Sequence, residues 1–508
     1  MNSTTKIFLP FIIIVSLLGC GKTPQKHVEK GLIYLGRGSA KIDLAIAEFQ
    51  AAINKDPKFA RAHYELGYAY VLKGNLDQAK VSLDKAIELK PNYTDAHLQE
   101  ALILLSKNEV DKAIEKCQEI IQLDPQSAKA HELLGRIYAS QRKNEEAIAQ
   151  FKAALKLDPK MVAAYLNLGG VYARQNDLGT AEQQYQAAVQ ADPKNIDAHL
   201  SLAGFYVLRG KNDKATEEFQ AALKLAPNNL IVNLALAEHY VRTGKSDEAI
   251  AICTPIVQNN PRLTAPNEIL GAAYLAQRNF DQAIVAYQKV TQRLKTIKQA
   301  NAEEVEGSDE LKVEQLNAEM AKAHYNLGRA YYGNNDNLQA LAEYRAALEL
   351  SPNSPLVRLA LAEAYFKDKQ FIQAENECDA LLKEITLPEV LDLKGRIYLS
   401  QNKINEGVAQ FQAALKLNLN YVPALLNLGK YYRAVGKRAE AIEQFNKVIA
   451  IAPNTAEAHL NLAPIYLEDK KPKEALEAVE KAVKLDPYNP VARNALGELY
   501  AAGLSFDK

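Results

Sequence analysis

The chain has 508 residues, and its 61 Lys and Arg balance its 61 Asp and Glu, so the formal net charge is zero. A chain without a basic excess is not built to capture nucleic acid electrostatically. Length alone would suggest about three globular domains, but internal repetition overrides that expectation. Residues 1–19 read as a leader: Lys6 supplies a positive n-region, and Ile7 to Leu18 is an apolar run of 12, interrupted by Pro10. Such a run is too short for a bilayer, which takes about 20 residues, and fits a secretory signal.

The leader closes with Leu17-Leu18-Gly19-Cys20, which resembles the lipobox of bacterial lipoproteins. The resemblance implies cleavage before Cys20, a thioether-linked diacylglycerol on its sulfur and a further acyl chain on the new amino group. Chains worth ~0.8 kcal/mol per buried CH₂ make such an anchor effectively permanent. Gly21, where an Asp would suggest inner-membrane retention, leans toward the periplasmic face of the outer membrane. The expected location is therefore the bacterial cell envelope, with residues 20–25 as the lipidated Cys20 and a short tether. The covalent lipid apart, no cofactor is expected.

From about Lys26 the chain is a repetition of one 34-residue unit, clearest from Ala128 to Met161. Apolar residues at three- and four-residue spacing predict one helix over Lys129–Gln141 and a second over Asn144–Leu157. Pro159 stops the second, because its ring and missing N–H cannot continue the ladder. Neither helix can bury its stripe alone, so copies must stack. Taking Gly135 as position 8, the equivalent residues run from Gly31 and Gly67 to Gly497, and from Gly67 to Gly271 every step is 34. Tyr recurs at position 11 (Tyr70, Tyr138, Tyr172, Tyr206) and proline closes most units (Pro57, Pro91, Pro125). Units 1–8 occupy 26–297. A charged insertion, 298–320, is expected to lengthen the second helix before it and the first helix after it, around an acidic tip at Glu303 to Glu310. Units 9–13 occupy 321–489, with Pro464 inside a first helix, where it should bend it. Residues 490–508 form a capping helix and C-terminus, with Arg493, Asn494 and Glu498 on its polar outer face, so the solenoid is expected to be the whole mature protein.

Small residue, Tyr, Ala, aromatic and Pro in this order resemble the tetratricopeptide repeat (TPR) family. The resemblance implies an all-α fold: a right-handed α-solenoid (superhelix) of about 13 helix-turn-helix units plus a C-terminal capping helix. It also implies that first helices line the concave face, where positions 2, 5, 9, 12 and 13 meet ligands, and that the partners are proteins or peptides.

Catalytic chemistry finds no foothold. His63, His97, His131, His199, His324 and His459 share position 4, where the family carries a packing aromatic. A zinc ion needs nitrogens about 2 Å away, and successive units were expected to hold these rings about two helix diameters of ~10 Å apart. They read as packing residues, with no metal site. Cys117, Cys253 and Cys378 share position 24, as small core hydrophobes. No C-x-x-C, G-x-S-x-G, H-E-x-x-H or Gly-rich phosphate loop occurs. The chain is not expected to be an enzyme.

Binding remains, and the groove positions are the candidates. Near the anchor they are Arg61, Tyr64, Tyr68, Leu98 and Leu102, read as an apolar stretch. Beyond the insertion they are Lys322, Tyr325, Arg329, Tyr332, Arg396, Lys430 and Arg433, read as basic and aromatic. Some of these positions pack between repeats rather than face a ligand. Three classes of function stay open: a lipid-anchored scaffold for envelope proteins, an accessory to exopolysaccharide export or exosortase-type sorting, as long TPR lipoproteins of similar architecture are, and a glycan-binding module. Anionic polysaccharide is accordingly a second class of partner; nucleic acid is not one.

Overall fold

The computed structural model describes residues 23–304 and 310–503. The leader, Cys20 and most of the acidic tip lie outside the described residues. Within them the chain is all-helical: 27 α-helices, which make 13 antiparallel pairs and a last helix, Pro490–Ala501, with one short 3-10 turn at Ser39–Lys41. Two compact units divide between Leu236 and Ala237, and each is a stack of such pairs.

Three recurring devices turn the 34-residue register into this stack. The first is the hairpin turn. Position 15 is left-handed in pair after pair, at Gly74 (φ 82°), Asn108 (60°), Arg142 (60°) and Asn176 (62°) among others. The next N–H then reaches back to the carbonyl of position 11, as from Asn75 to Tyr70 at 2.9 Å and from Lys143 to Tyr138 at 3.0 Å. This caps the last turn of the first helix. Glycine and asparagine tolerate the geometry; Arg142, Arg278, Lys369 and Lys470 hold it at a cost of about 1–2 kcal/mol each.

The second device is a matched pair inside most hairpins, with Ala203 against Phe219 as an exception. A Cβ on Gly135 would stand 2.7 Å from Cε1 of Phe151, and one on Gly429 2.6 Å from Cε1 of Phe445. Position 8 is thus small because the ring at position 24 of the same pair lies against it. Where position 24 is only a cysteine, position 8 is alanine: Ala101 with Cys117, Ala237 with Cys253, Ala362 with Cys378. All six of these side chains are fully buried. Burial pushes each of the three thiols up to about 12, so they are inert apolar fillers.

The third device joins successive pairs. The position-11 tyrosine hydroxyl accepts from a side chain on the preceding pair's second helix: Gln50 to Tyr70 (3.2 Å), Gln186 to Tyr206 (2.9 Å), Gln288 to Tyr331 (2.8 Å) and Arg345 to Tyr365 (2.9 Å). A phenylalanine would fill the space but lose this latch.

Position 4 has a different role from the expected packing aromatic. The ring nitrogen of His63, His97 or His199 meets the carbonyl of the proline six residues earlier at 2.8–3.0 Å. Asn233 and Arg358 donate to the equivalent carbonyls of Pro227 and Pro352. Several also reach a second-helix side chain, as His199 does to Glu218 (2.6 Å), His324 to Glu343 (2.6 Å) and His131 to Gln150 (2.7 Å). The position selects a polar planar group that ties the inter-pair turn to the second helix, because a turn carbonyl removed from water needs a partner.

The helices flanking residues 305–309 are long, Phe280–Glu304 and Glu310–Gly333, against 13 or 14 residues in most others. Their extra turns continue the contact of Val290 with Ala323 through buried Leu294 and Met320, and Lys298 donates to Asn317 at 2.9 Å. Pro464 lies inside Ala456–Glu468, and Pro255 lies inside Ser246–Asn259.

Candidate binding groove

First helices of neighbouring pairs touch one another more closely than second helices do, as do Ala60–Lys73 and Thr94–Ser106 in one unit and Pro355–Lys367 and Pro388–Ser400 in the other. They are nearer than the two diameters expected from the sequence, and they line the inner face of each unit. Positions 5, 9 and 12 project there, and each unit carries its own set.

In the first unit the Tyr64 ring stacks on Tyr68 (centroids 6.5 Å, 13°) and leans on Tyr93 (5.0 Å, 40°). The expected apolar character does not hold. Glu65 is 7% exposed between these rings and meets exposed Arg61 at 3.5 Å. Asp95 pairs with Lys129 at 3.1 Å. Burial, with help from these two carboxylates, pushes Tyr93 up to about 12 and raises Tyr64 further. One pair farther on, Glu132 accepts from Asn167 at 2.9 Å, and burial holds its carboxyl above the usual range. Leu98 is not a groove residue. It is 7% exposed, inside a core with Cys117 and Leu134, and Leu102 packs half-buried against it. Two apolar neighbours at positions 5 and 9 cover each other, so the leucines fill the stack and the tyrosines remain at its surface.

In the second unit the expected basic stretch is largely neutralised. Lys322 pairs with Glu268 at 2.8 Å, Arg396 with Asp392 at 3.3 Å, and Lys430 with Glu457. Arg329 lies over the Tyr325 ring at 5.8 Å, and Lys367 over the Tyr332 ring at 4.1 Å. Tyr325 and Tyr332 are half-buried, and burial raises both hydroxyls. Arg433 is exposed and borders a cavity of about 720 Å³ floored by Leu460, Pro464, Leu467 and Leu499, with Glu457, Asp486 and Glu498 among its polar lining. Pro464 occupies position 9 here.

Two acidic groups of this groove were absent from the sequence reading, Glu363 at position 9 and Asp392 at position 5. Asp392 is 4% exposed, accepts from Asn427 at 2.8 Å, and is held above the usual carboxylate range by burial. Glu363 is raised for the same reason, against the opposing charge of Arg396. Both stand at groove positions of the 34-residue register, so their charges are legible in the sequence.

Among the described residues no cluster of His, Cys, Asp and Glu converges to hold a metal, and no helix is long and apolar enough to cross a membrane. The arrangement offers rings, partly desolvated charges and apolar floors along a groove, which is the chemistry of polypeptide recognition.

Four models of the tetratricopeptide repeat match the chain, at residues 31–74 and 60–93, at 132–196, 172–221 and 207–266, and at 331–397, 393–454 and 426–490. With the register and helical hairpins described above, these matches cover well over half of the chain, and it belongs to the tetratricopeptide repeat family. Repeats of this family bind other proteins or peptides and typically serve as scaffolds without catalysis. No curated protein matches significantly. Among solved structures the chain is similar to the APC/C hetero-tetramer Cut9–Hcn1, at 17% identity over 94% of this chain and 96% of that one, with a TM-score of 0.41. It is also similar to pilF of Pseudomonas aeruginosa, at 22% identity over 41% of this chain and 95% of that one, with a TM-score of 0.35. Likenesses at these scores add nothing to the family assignment.

Proposed function

We propose that the chain is a non-enzymatic, lipid-anchored scaffold of the bacterial envelope that gathers proteins or peptides along its first-helix groove. The observation that carries the scaffold reading is the paired sets of partly buried tyrosines and charged groups on that face, Tyr64, Tyr68 and Tyr93 in one unit and Tyr325, Tyr332, Glu363 and Arg396 in the other. Aromatic and Arg side chains of this kind dominate protein-binding hot spots. The anchor rests on Leu17-Leu18-Gly19-Cys20, which lie outside the described residues. Cys20→Ser expressed in a bacterium should accumulate as an unprocessed precursor that takes up no labelled palmitate; normal maturation and labelling of this variant would remove the anchor from the account.

A second reading, an accessory to polysaccharide export, draws on the tyrosines standing beside carboxylates and the Asn427 amide, a set that also suits sugar hydroxyls. The pairing of Lys322, Arg396 and Lys430 with carboxylates weighs against a strongly anionic polymer. Pull-downs from envelope extracts with and without polysaccharide-degrading enzymes separate the two: protein partners that survive digestion support the scaffold.

A further inference from the structure

Exposed arginines stand at the two ends of the second unit's groove, Arg329 and Arg433, with carboxylates between them. Arg329 lies over the Tyr325 ring at one end, and Lys367, from the next first helix, lies over the Tyr332 ring. At the other end Lys430 is paired with Glu457, and Arg433 stands exposed. Between them, the helices Pro355–Lys367 and Pro388–Ser400 carry Glu363, Asp392 and Glu389, all within electrostatic reach of the Tyr421 ring, and one guanidinium, Arg396, paired with Asp392 at 3.3 Å. That guanidinium is engaged with only one of the three, Asp392, and lies over the Phe366 ring at 5.1 Å. Among the described residues no group donates a hydrogen bond to the Glu363 carboxylate. Half-buried Tyr332, Phe366 and Tyr421 wall the same stretch. All three carboxylates act electrostatically on Tyr421, against one Arg.

A partly desolvated carboxylate among aromatic rings is the environment in which a cationic side chain gains both charge pairing and cation–π contact. We propose that this acidic stretch seats one Lys or Arg side chain of an extended polypeptide whose flanks are acidic, a deepening that rests on the groove as a polypeptide-docking surface. The flanking requirement follows from exposed Arg329 and Arg433 at the two ends. Touching helices lie about 10 Å apart, so these arginines stand roughly 15 Å from the acidic centre. An extended chain rises about 3.3 Å per residue, which places the acidic residues roughly four or five positions to either side of the Lys or Arg.

The test uses the purified full-length chain in detergent and three fluorescein-labelled 13-residue peptides of Gly, Ser and Leu. Each has Glu four residues to either side of a central Lys, Gln or Glu. Fluorescence anisotropy should show the Lys peptide binding about tenfold or more tighter than the Gln peptide, with the Glu peptide weakest. Glu363→Gln combined with Asp392→Asn should abolish that preference, and the exposed change Glu389→Gln, which removes no buried contact, should reduce it by about threefold. Equal binding of the three peptides, no binding of any, or a preference intact in the folded double variant and in Glu389→Gln would each overturn the proposal. None of those results would touch the scaffold reading, which stands on recovery of envelope partners.

Discussion

The match between positions 8 and 24 makes a quantitative prediction at Gly135 and Phe151. Gly135→Ala removes a helix-interior glycine, which in an open helix would stabilise by about 0.8–1 kcal/mol. Here the new methyl would stand 2.7 Å from Cε1 and 2.8 Å from Cδ1 of Phe151, where ordinary contacts begin near 3.4 Å. The ring is fully buried and cannot step aside. Overpacking of this kind costs about 1–3 kcal/mol, so the net effect should be a loss of roughly 0–2 kcal/mol. Phe151→Cys alone leaves a cavity and should cost about 2–4 kcal/mol, somewhat below the usual Phe→Ala range. The double variant recreates the pairing found at Ala101 and Cys117, and should recover at least ~1 kcal/mol relative to the sum of the singles, as contacting residues do. A long repeat array does not unfold in one step, so the assay is amide hydrogen exchange in the helices Ala128–Ser140 and Asn144–Leu157. If Gly135→Ala stabilises by the full propensity gain and the two changes simply add, the explanation of the small residue at position 8 is wrong.

Two further outcomes follow from the inner face and the ends. Burial raises the Glu132 carboxyl, so its ionised form costs folding free energy, and that cost disappears as pH falls through the folded-state value. Glu132→Gln keeps an acceptor for Asn167 without the charge; it should be more stable than wild type at pH 7, with the gap closing in acid, as thermal melts at several pH values would show. Tyr172→Ala should destabilise by about 2–4 kcal/mol, more than Tyr500→Ala, since Tyr500 is 45% exposed on a helix with a neighbour on one side and keeps only its bond to Glu480 at 3.0 Å. Amide hydrogen exchange in the helices Val162–Arg174 and Pro490–Ala501 checks the order, and a larger loss at Tyr500 would contradict the stacking model.

The fold was legible because repetition amplifies weak signals. A helix from one amphipathic window is uncertain, but Gly or Ala at position 8, Tyr at 11 and Pro at the close recur too often to mislead. The Ala–Cys and Gly–aromatic matching also lay open in the sequence, once positions 8 and 24 are read together. Position 4 misled because histidine is aromatic; Asn233 and Arg358 at the same position signal that its donors matter. The groove was less legible, for a physical reason. Whether a side chain faces a ligand depends on what the next pair places against it. Leu98 is covered, while Tyr64 and Tyr68 are not. The charge of Lys322 is compensated by Glu268, 54 residues away, and the insertion hides that pairing from the 34-residue register.

The central claim is that partners dock on the first-helix face, and in-cell photocrosslinking addresses it most directly. A photoreactive amino acid is placed singly at Tyr68, Tyr332 and Arg433 on that face, and at Lys85 and Gln373 on second helices. Crosslinked bands of defined size, containing other envelope proteins, are predicted from the first three positions and not from the last two. Bands only from the second-helix positions, or the same bands from all five, would contradict it.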